Sequence, residues 1–131
     1  MAEQYRDFAM RQYDCINRHD LDGFLEGIAE DVEFRSLIAE SEGETFRGHD
    51  GVRAWWGQVV ELLGGLEYDF TNYNEAGDGA VIKLRVRAHV GTTDVEQVMW
   101  QGVVVRDGLT VWWEPFRSEE EAWTAVRERL G

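Results

Sequence analysis

The sequence predicts an α+β domain in which a curved antiparallel sheet wraps a layer of N-terminal helices. Three observations carry that prediction. Apolar residues recur at helical spacing through the first part of the chain, alternating segments broken by glycine-containing turns run from 66 to 116, and an acidic capping box opens a last helix at Ser118. The 131 residues amount to one domain's worth of chain, taken as 1–131.

From Glu3 to Arg18, Tyr5, Phe8, Ala9, Tyr13 and Ile16 fall on one face of a first helix. Asp20 is placed to accept from the free amides of a short second helix carrying Leu21, Phe24, Leu25 and Ile28. Asp31 to Ser36 alternates, with Val32, Phe34 and Ser36 on one side and Glu33 and Arg35 on the other, as a first strand does. Ile38 to Gly48, acidic and glycine-containing, reads as a loop. Gly48-His49-Asp50-Gly51 then supplies a turn and cap for a third helix through Val52, Trp55, Trp56, Val59, Val60, Leu62 and Leu63, ending at Gly64-Gly65. Leu66–Glu75, Ala80–Val90, Val95–Val105 and Leu109–Phe116 follow as hairpin-linked strands. Pro115 sits near a strand end, where its missing donor is tolerated. Ser118-Glu119-Glu120-Glu121 caps a final helix with Ala122, Trp123, Val126 and Leu130 on its apolar side.

Composition narrows the function classes. With 44% hydrophobic and 12% aromatic residues the chain has enough to bury for an unstapled core. Twelve Arg and one Lys stand against 26 acids, for a net charge of −13, and no basic run exceeds two residues. Neither nucleic acid nor an anionic membrane is therefore an expected partner. Cys15 is the only cysteine, which excludes an intrachain disulfide and fits a reducing cytoplasm. The first residues lack a positive segment followed by an apolar one, and no apolar run reaches membrane-spanning length, so neither export nor a membrane span is expected. His19, His49 and His89 lack the spacing of a zinc site on one element, and no metal or cofactor is expected.

Five stretches in fixed order resemble the nuclear-transport-factor-2-like superfamily, and within it the SnoaL-like polyketide cyclase and ketosteroid isomerase group. They are Asn17 to Asp22, Glu30 to Ser36, Phe46 to Arg53, Val105 to Gly108 and Phe116 to Ala122. The resemblance covers nearly the whole chain and implies a cone-shaped roll with a pocket on the concave face of the sheet. It implies a small hydrophobic or aromatic ligand, a homodimer through the convex face, and cofactor-independent isomerase, cyclase or hydrolase chemistry or, alternatively, a non-catalytic binding or dimerisation module. One scaffold hosts many functions, so the chemistry rests on particular residues.

The carboxylate of ketosteroid isomerases aligns with Ser36, too weak a base for proton abstraction. The acid of limonene epoxide hydrolases, counted from Gly108, falls on Pro115, with Glu114 one residue off and so on the opposite face unless a bulge corrects it. Their arginine has a counterpart in Arg85, whereas their neighbouring acid becomes Arg87. Arg85 as oxyanion donor and Glu114 as counter-ion or base are thus the catalytic candidates, provided that both reach one cavity. The row Lys83, Arg85, Arg87, His89 alternates with Ile82, Leu84, Val86, Ala88, Val90. Either the aliphatic row faces the core and the basic row meets acids on the outer face, or the basic row enters the pocket with a carboxylate nearby. Tyr13, Phe34, Trp55, Trp56 and Trp113 are the ligand-binding candidates; Trp55 and Trp56 point about 100° apart, so one can line a cavity while the other fills the core. Trp100, Trp112 and Trp113 are also expected to leave apolar area for the dimer. His19 and His49 read as packing residues beside helix caps, and Cys15 as inert.

Overall fold

A computed structural model describes residues 4–35, 45–61, 66–90 and 92–131. Helix α1 (Arg6–Asn17) buries Ala9, Gln12, Cys15 and Ile16, a stripe of helical period. It stops where His19 turns into the left-handed region (φ 58), letting the Asp20 amide donate back to the Cys15 carbonyl at 2.8 Å. The Asp20 carboxylate then accepts from the Gly23 amide at 3.0 Å and starts α2 (Leu21–Glu26). Ile28, expected on this helix, begins strand β1 (Ile28–Arg35) instead: Gly27 closes the helix, and its carbonyl takes the Thr110 amide at 2.9 Å. Val32 and Phe34 point inward with at most 1% of their surface exposed.

Thr45–Arg47, expected in a loop, forms strand β2, antiparallel to β1 with Phe34 opposite Phe46. The pairing buries Phe46, a drive invisible in an acidic local sequence. Helix α3 (Gly48–Trp55) passes into a π-helical turn (Trp56–Glu61); Ser36, the rest of the acidic segment to Glu44, and the helix end at Gly64-Gly65 lie outside the described residues. Strands β3 (Leu66–Ala76), β4 (Gly79–Val90), β5 (Thr93–Arg106) and β6 (Leu109–Phe116) follow, then α4 (Glu119–Leu130), capped by the Ser118 hydroxyl accepting from the Glu121 amide at 3.2 Å.

The six strands form one open sheet in the order β2-β1-β6-β5-β4-β3, antiparallel except for β1 beside β6. Its register slips between Phe70 and Asn72, between Val104 and Val105, and along the β1–β6 pair. Such bulges add twist and curl the sheet around α1 to α3. The concave face and these helices enclose the main core, while α4 covers part of the convex face over Val81, Val104 and Trp112. Trp112 and Trp113, expected to leave apolar area at the surface, are 4% and 7% exposed; α4 covers the first and the inner core holds the second. Among the described residues no helix is long and apolar enough to cross a membrane.

Candidate ligand pocket

The helical and strand periods that build the core also build a pocket. Phe8, Gln12 and Ile16 succeed one another at four-residue spacing along α1, as do Ala9 and Tyr13, so these side chains face the sheet together. Gln101, Val103 and Val105 alternate along β5 onto the concave face, and Tyr68, Tyr73, Ile82, Thr110 and Trp113 join them from β3, β4 and β6. Phe24, Ile28 and Trp55 complete the wall beside Tyr5 at the helix start. Free space for the centres of water-sized molecules is about 50 Å³. That is several times the roughly 10–15 Å³ needed by one water.

Among the described residues, none that lines the pocket carries a carboxylate, an imidazole, an ammonium or a guanidinium group. The polar groups of the described lining residues are three well-buried side chains, Gln12, Gln101 and Thr110, tyrosine hydroxyls, and the indole N–H groups of Trp55 and Trp113. The Gln12 amide nitrogen donates to the Phe24 carbonyl at 3.1 Å, and its oxygen lies against Gly27, where a Cβ would stand 2.5 Å away. Burial pushes the Tyr13 phenol well above the ordinary tyrosine value, with Tyr68 at 5.4 Å between ring centroids adding to the shift, and burial raises Tyr68 as well. Both phenols are neutral at ordinary pH. Asn17 fixes this pair: its side chain donates to the Tyr68 carbonyl at 2.9 Å and accepts from the Tyr68 amide at 2.7 Å, tying the end of α1 to β3.

One acid approaches the pocket indirectly. The Tyr73 hydroxyl donates to Glu75, which also accepts from the backbone amides of Gln4 at 2.8 Å and Tyr5 at 2.9 Å. Burial is the largest single influence on Glu75 and raises it, but the three hydrogen bonds together outweigh burial and hold its carboxyl below the ordinary value. A lowered pKa stabilises the fold above the ordinary range, and that contribution disappears as pH falls through the lowered value. The Glu75→Gln variant cannot titrate there. It should lose less stability than the parent on acidification through the carboxylate range, as followed by chemical unfolding at stepped pH.

The catalytic candidates are not brought together. Ile82, Leu84 and Val86 of β4 are core residues, so the basic row points outward. There Arg85 pairs with Glu96 at 3.0 Å, Arg87 bridges Glu67 and Asp69 at 2.9 and 2.8 Å, His89 meets Asp94, and Lys83 lies over the Trp100 ring. Arg85 is half exposed on the convex face, where it keeps both its water and the Glu96 carboxylate; burying it inward would need a counter-ion that the described lining residues do not supply. Pro115 makes no bulge: Pro115, Glu114 and Trp113 face Gln101, Gly102 and Val103 in unbroken register. Glu114 therefore shares the outward face of Trp112 and pairs with Arg35 at 3.1 Å. Its carboxyl is raised by burial, against the lowering effect of Arg35 and Arg129.

Of the aromatic candidates, Tyr13, Trp55 and Trp113 line the pocket. Phe34 and Trp56 do not. Phe34 is stacked between Trp113 at 4.0 Å and Phe46 at 5.1 Å, and Trp56 packs on Phe24 at 5.6 Å. His49 bonds the Ile28 carbonyl at 2.7 Å and holds α3 to β1, and Cys15 is buried. Gln12, Tyr68, Tyr73, Gln101 and Thr110 were not singled out from sequence. A polar residue inside the otherwise apolar rows Phe8-Gln12-Ile16 and Met99-Gln101-Val103-Val105 is the signal that marks two of them. Among the described residues no cluster of three His, Cys, Asp or Glu could hold a metal.

A family model described as a SnoaL-like domain matches residues 9–113. Solved structures share the fold. TerC co-crystallised with polyporic acid is 22% identical, with a TM-score of 0.75 over 93% of this chain and 96% of that one. An NTF2-like protein of unknown function from Burkholderia pseudomallei is 20% identical, with a TM-score of 0.78 over 96% and 97%. A Mycobacterium tuberculosis protein in complex with estradiol-17beta-hemisuccinate is 17% identical, with a TM-score of 0.72 over 86% and 92%. No curated protein matches the sequence.

Proposed function

Because this chain belongs to the SnoaL-like domain family, we propose that it acts as a single domain that binds a small, uncharged, largely apolar or aromatic molecule between α1 and the concave face of the sheet, without metal or organic cofactor. The observation that carries this reading is the lining itself, aromatic and aliphatic with a few neutral polar groups, which suits apolar burial and penalises a charge. Structural relatives crystallised with polyporic acid and with an estradiol derivative support it. We also propose a cytoplasmic setting, which a chain with one cysteine and hence no intrachain disulfide suits.

The test uses the pocket's own indoles. Trp55 and Trp113 line the cavity, so titration with a hydrophobic aromatic probe should quench tryptophan fluorescence saturably, and Trp55→Phe should shrink the response. No saturable change with any of a panel of apolar aromatics would end this reading.

Catalysis on the bound molecule has one observation in its favour, the Tyr73 hydroxyl that lines the pocket and donates to Glu75. A proton could pass along that pair in an isomerisation or cyclisation. The lowered Glu75 makes a weak base, so binding leads.

We also propose a homodimer through the uncovered part of the convex face. There, on a chain of net charge −13, cations and acids alternate across β3, β4 and β5 beside Val98, which is 40% exposed. A patch that carries both signs of charge lets two copies meet about a twofold axis with opposite charges facing each other. Light scattering should return twice 15.1 kDa, and Val98→Glu should shift the population to monomer. A parent mass of 15.1 kDa at micromolar concentration would exclude the dimer.

A further inference from the structure

The pocket as it stands is too small for the molecule proposed above. Its free space is about 50 Å³, against the roughly 150 Å³ of an engineered apolar cavity that takes up benzene. A ring compound therefore enters only if a wall moves, and the lining shows which one. Among the described lining residues only Tyr5, Phe8, Tyr13 and Tyr68 are not buried, so the cavity reaches the surface along the seam between α1 and β3. Within that seam Tyr13 lies 6.2 Å from Phe70 between ring centroids, and Arg6 lies over the Phe70 ring at 5.6 Å.

The seam is clasped at both ends. At one, the Asn17 side chain pairs with the backbone of Tyr68. At the other, Glu75 accepts from the Gln4 and Tyr5 amides, and the Tyr5 hydroxyl donates to Asp78 at 3.0 Å. Helix α1 has no capping side chain at Tyr5, so a carboxylate from β3 holds its start, where the helix dipole favours negative charge. Tyr73, two residues before Glu75 and on the same face of the strand, donates to that carboxylate from the pocket lining.

The two ends of α1 are held unequally. Its later turns bury Gln12, Cys15 and Ile16, bond to the Phe24 carbonyl through Gln12, and lead straight into α2. Before Gln12 only Ala9 is buried, so lifting this half exposes little further apolar surface. The sheet side of the pocket is stiffer, because β3, β4, β5 and β6 are joined strand to strand by ladder hydrogen bonds.

We propose that the first two turns of α1 are the lid of this pocket and that Glu75 is its latch. The half-helix lifts from β3 about the Asn17 end, Tyr5 and Phe8 leave the mouth, and the ligand passes. The proposal rests on the binding role above and adds to it the way in.

Glu75→Gln tests the latch, since a carboxamide keeps the shape but has one acceptor oxygen in place of two. Hydrogen exchange followed by NMR should show the amides of Tyr5 and of Ala9, which donates to the Tyr5 carbonyl at 2.8 Å, exchanging about tenfold to a hundredfold faster than in the parent, the worth of one hydrogen bond to a charged group. The Tyr68 amide, held by Asn17, should not change. Tyr5→Phe, which removes only the bond to Asp78, should act in the same direction more weakly. Collisional quenching by acrylamide, a small neutral probe, should rise in Glu75→Gln because Trp55 and Trp113 line the cavity behind the lid, and the rise should shrink when Trp55→Phe is added. Unchanged exchange in both variants would overturn the latch. Equal acceleration of all slow amides would mean that Glu75 only stabilises the fold, and selective exchange without added quenching would mean that α1 opens without admitting anything; either would overturn the lid. Neither measurement needs a ligand, so a failed probe titration would end the binding role while these two results still decided the lid.

Discussion

Phe34→Ala is expected to lower the free energy of unfolding by about 3–5 kcal/mol, the cost of emptying a packed aromatic site. Phe34 keeps 1% of its surface, stacks on Trp113 and Phe46, and meets Trp55 edge-on at 5.9 Å. None of those rings can collapse into the void without breaking another contact. Trp55→Ala, although Trp55 is also buried, should cost less, because its ring already borders free space. It should also weaken ligand binding, which Phe34→Ala affects only through stability. Urea unfolding with parallel ligand titration distinguishes the two. Equal, large losses with an unaltered ligand response in the Trp55 variant would show that Trp55 is only a core residue.

Gly79→Ala and Gly102→Ala are expected to destabilise by about 1–3 kcal/mol each through overpacking beneath α4. A Cβ on Gly79 would stand 2.4 Å from a Val126 methyl, and one on Gly102 would stand 3.0 Å from the Trp112 ring and 3.1 Å from the other Val126 methyl. Val126 is fully buried and, being β-branched, has little freedom to turn away. Adding Val126→Ala should relieve part of the Gly79→Ala penalty, so that the double variant loses less than the sum of the singles. Additive losses would mean that α4 does not bear on Gly79. Pocket affinity should hold in both glycine variants, since α4 packs on the opposite face of the sheet.

These variants also show where sequence reasoning reaches. Asp20 and Ser118 cap helices as their local sequence dictates, because a cap is a bond between a side chain and an amide three residues on. The β4 row was legible in its alternation but not in its direction. Ile82 and Arg85 must face opposite ways, yet only the acids brought up by β3 and β5 decide that the arginine goes outward. Thr45 to Arg47 reads as loop because its strand partner is β1, ten or more residues back. The pocket was partly legible: Tyr13, Trp55 and Trp113 carry the aromatic signal of a wall, whereas Gln101 and Thr110 look like ordinary strand residues until their neighbours are known.

The order and type of the elements other than β2, the helix caps, the alternation of the strands and the acidic charge were legible in the sequence, because all of them depend on residues close along the chain. Tertiary structure decided the rest. The slip at Val104 and Val105, set by pairing between strands, separates the inward Thr110 and Trp113 from the outward Trp112 and Glu114. The unbroken register around Pro115 keeps Glu114 out of the pocket, and the closing of α1 over β3, β4 and β5 turns Gln101 and Thr110 toward one apolar cavity. Each of these is a long-range choice between faces, made by which partners satisfy a charge or fill a void, and a one-residue difference in register reverses it.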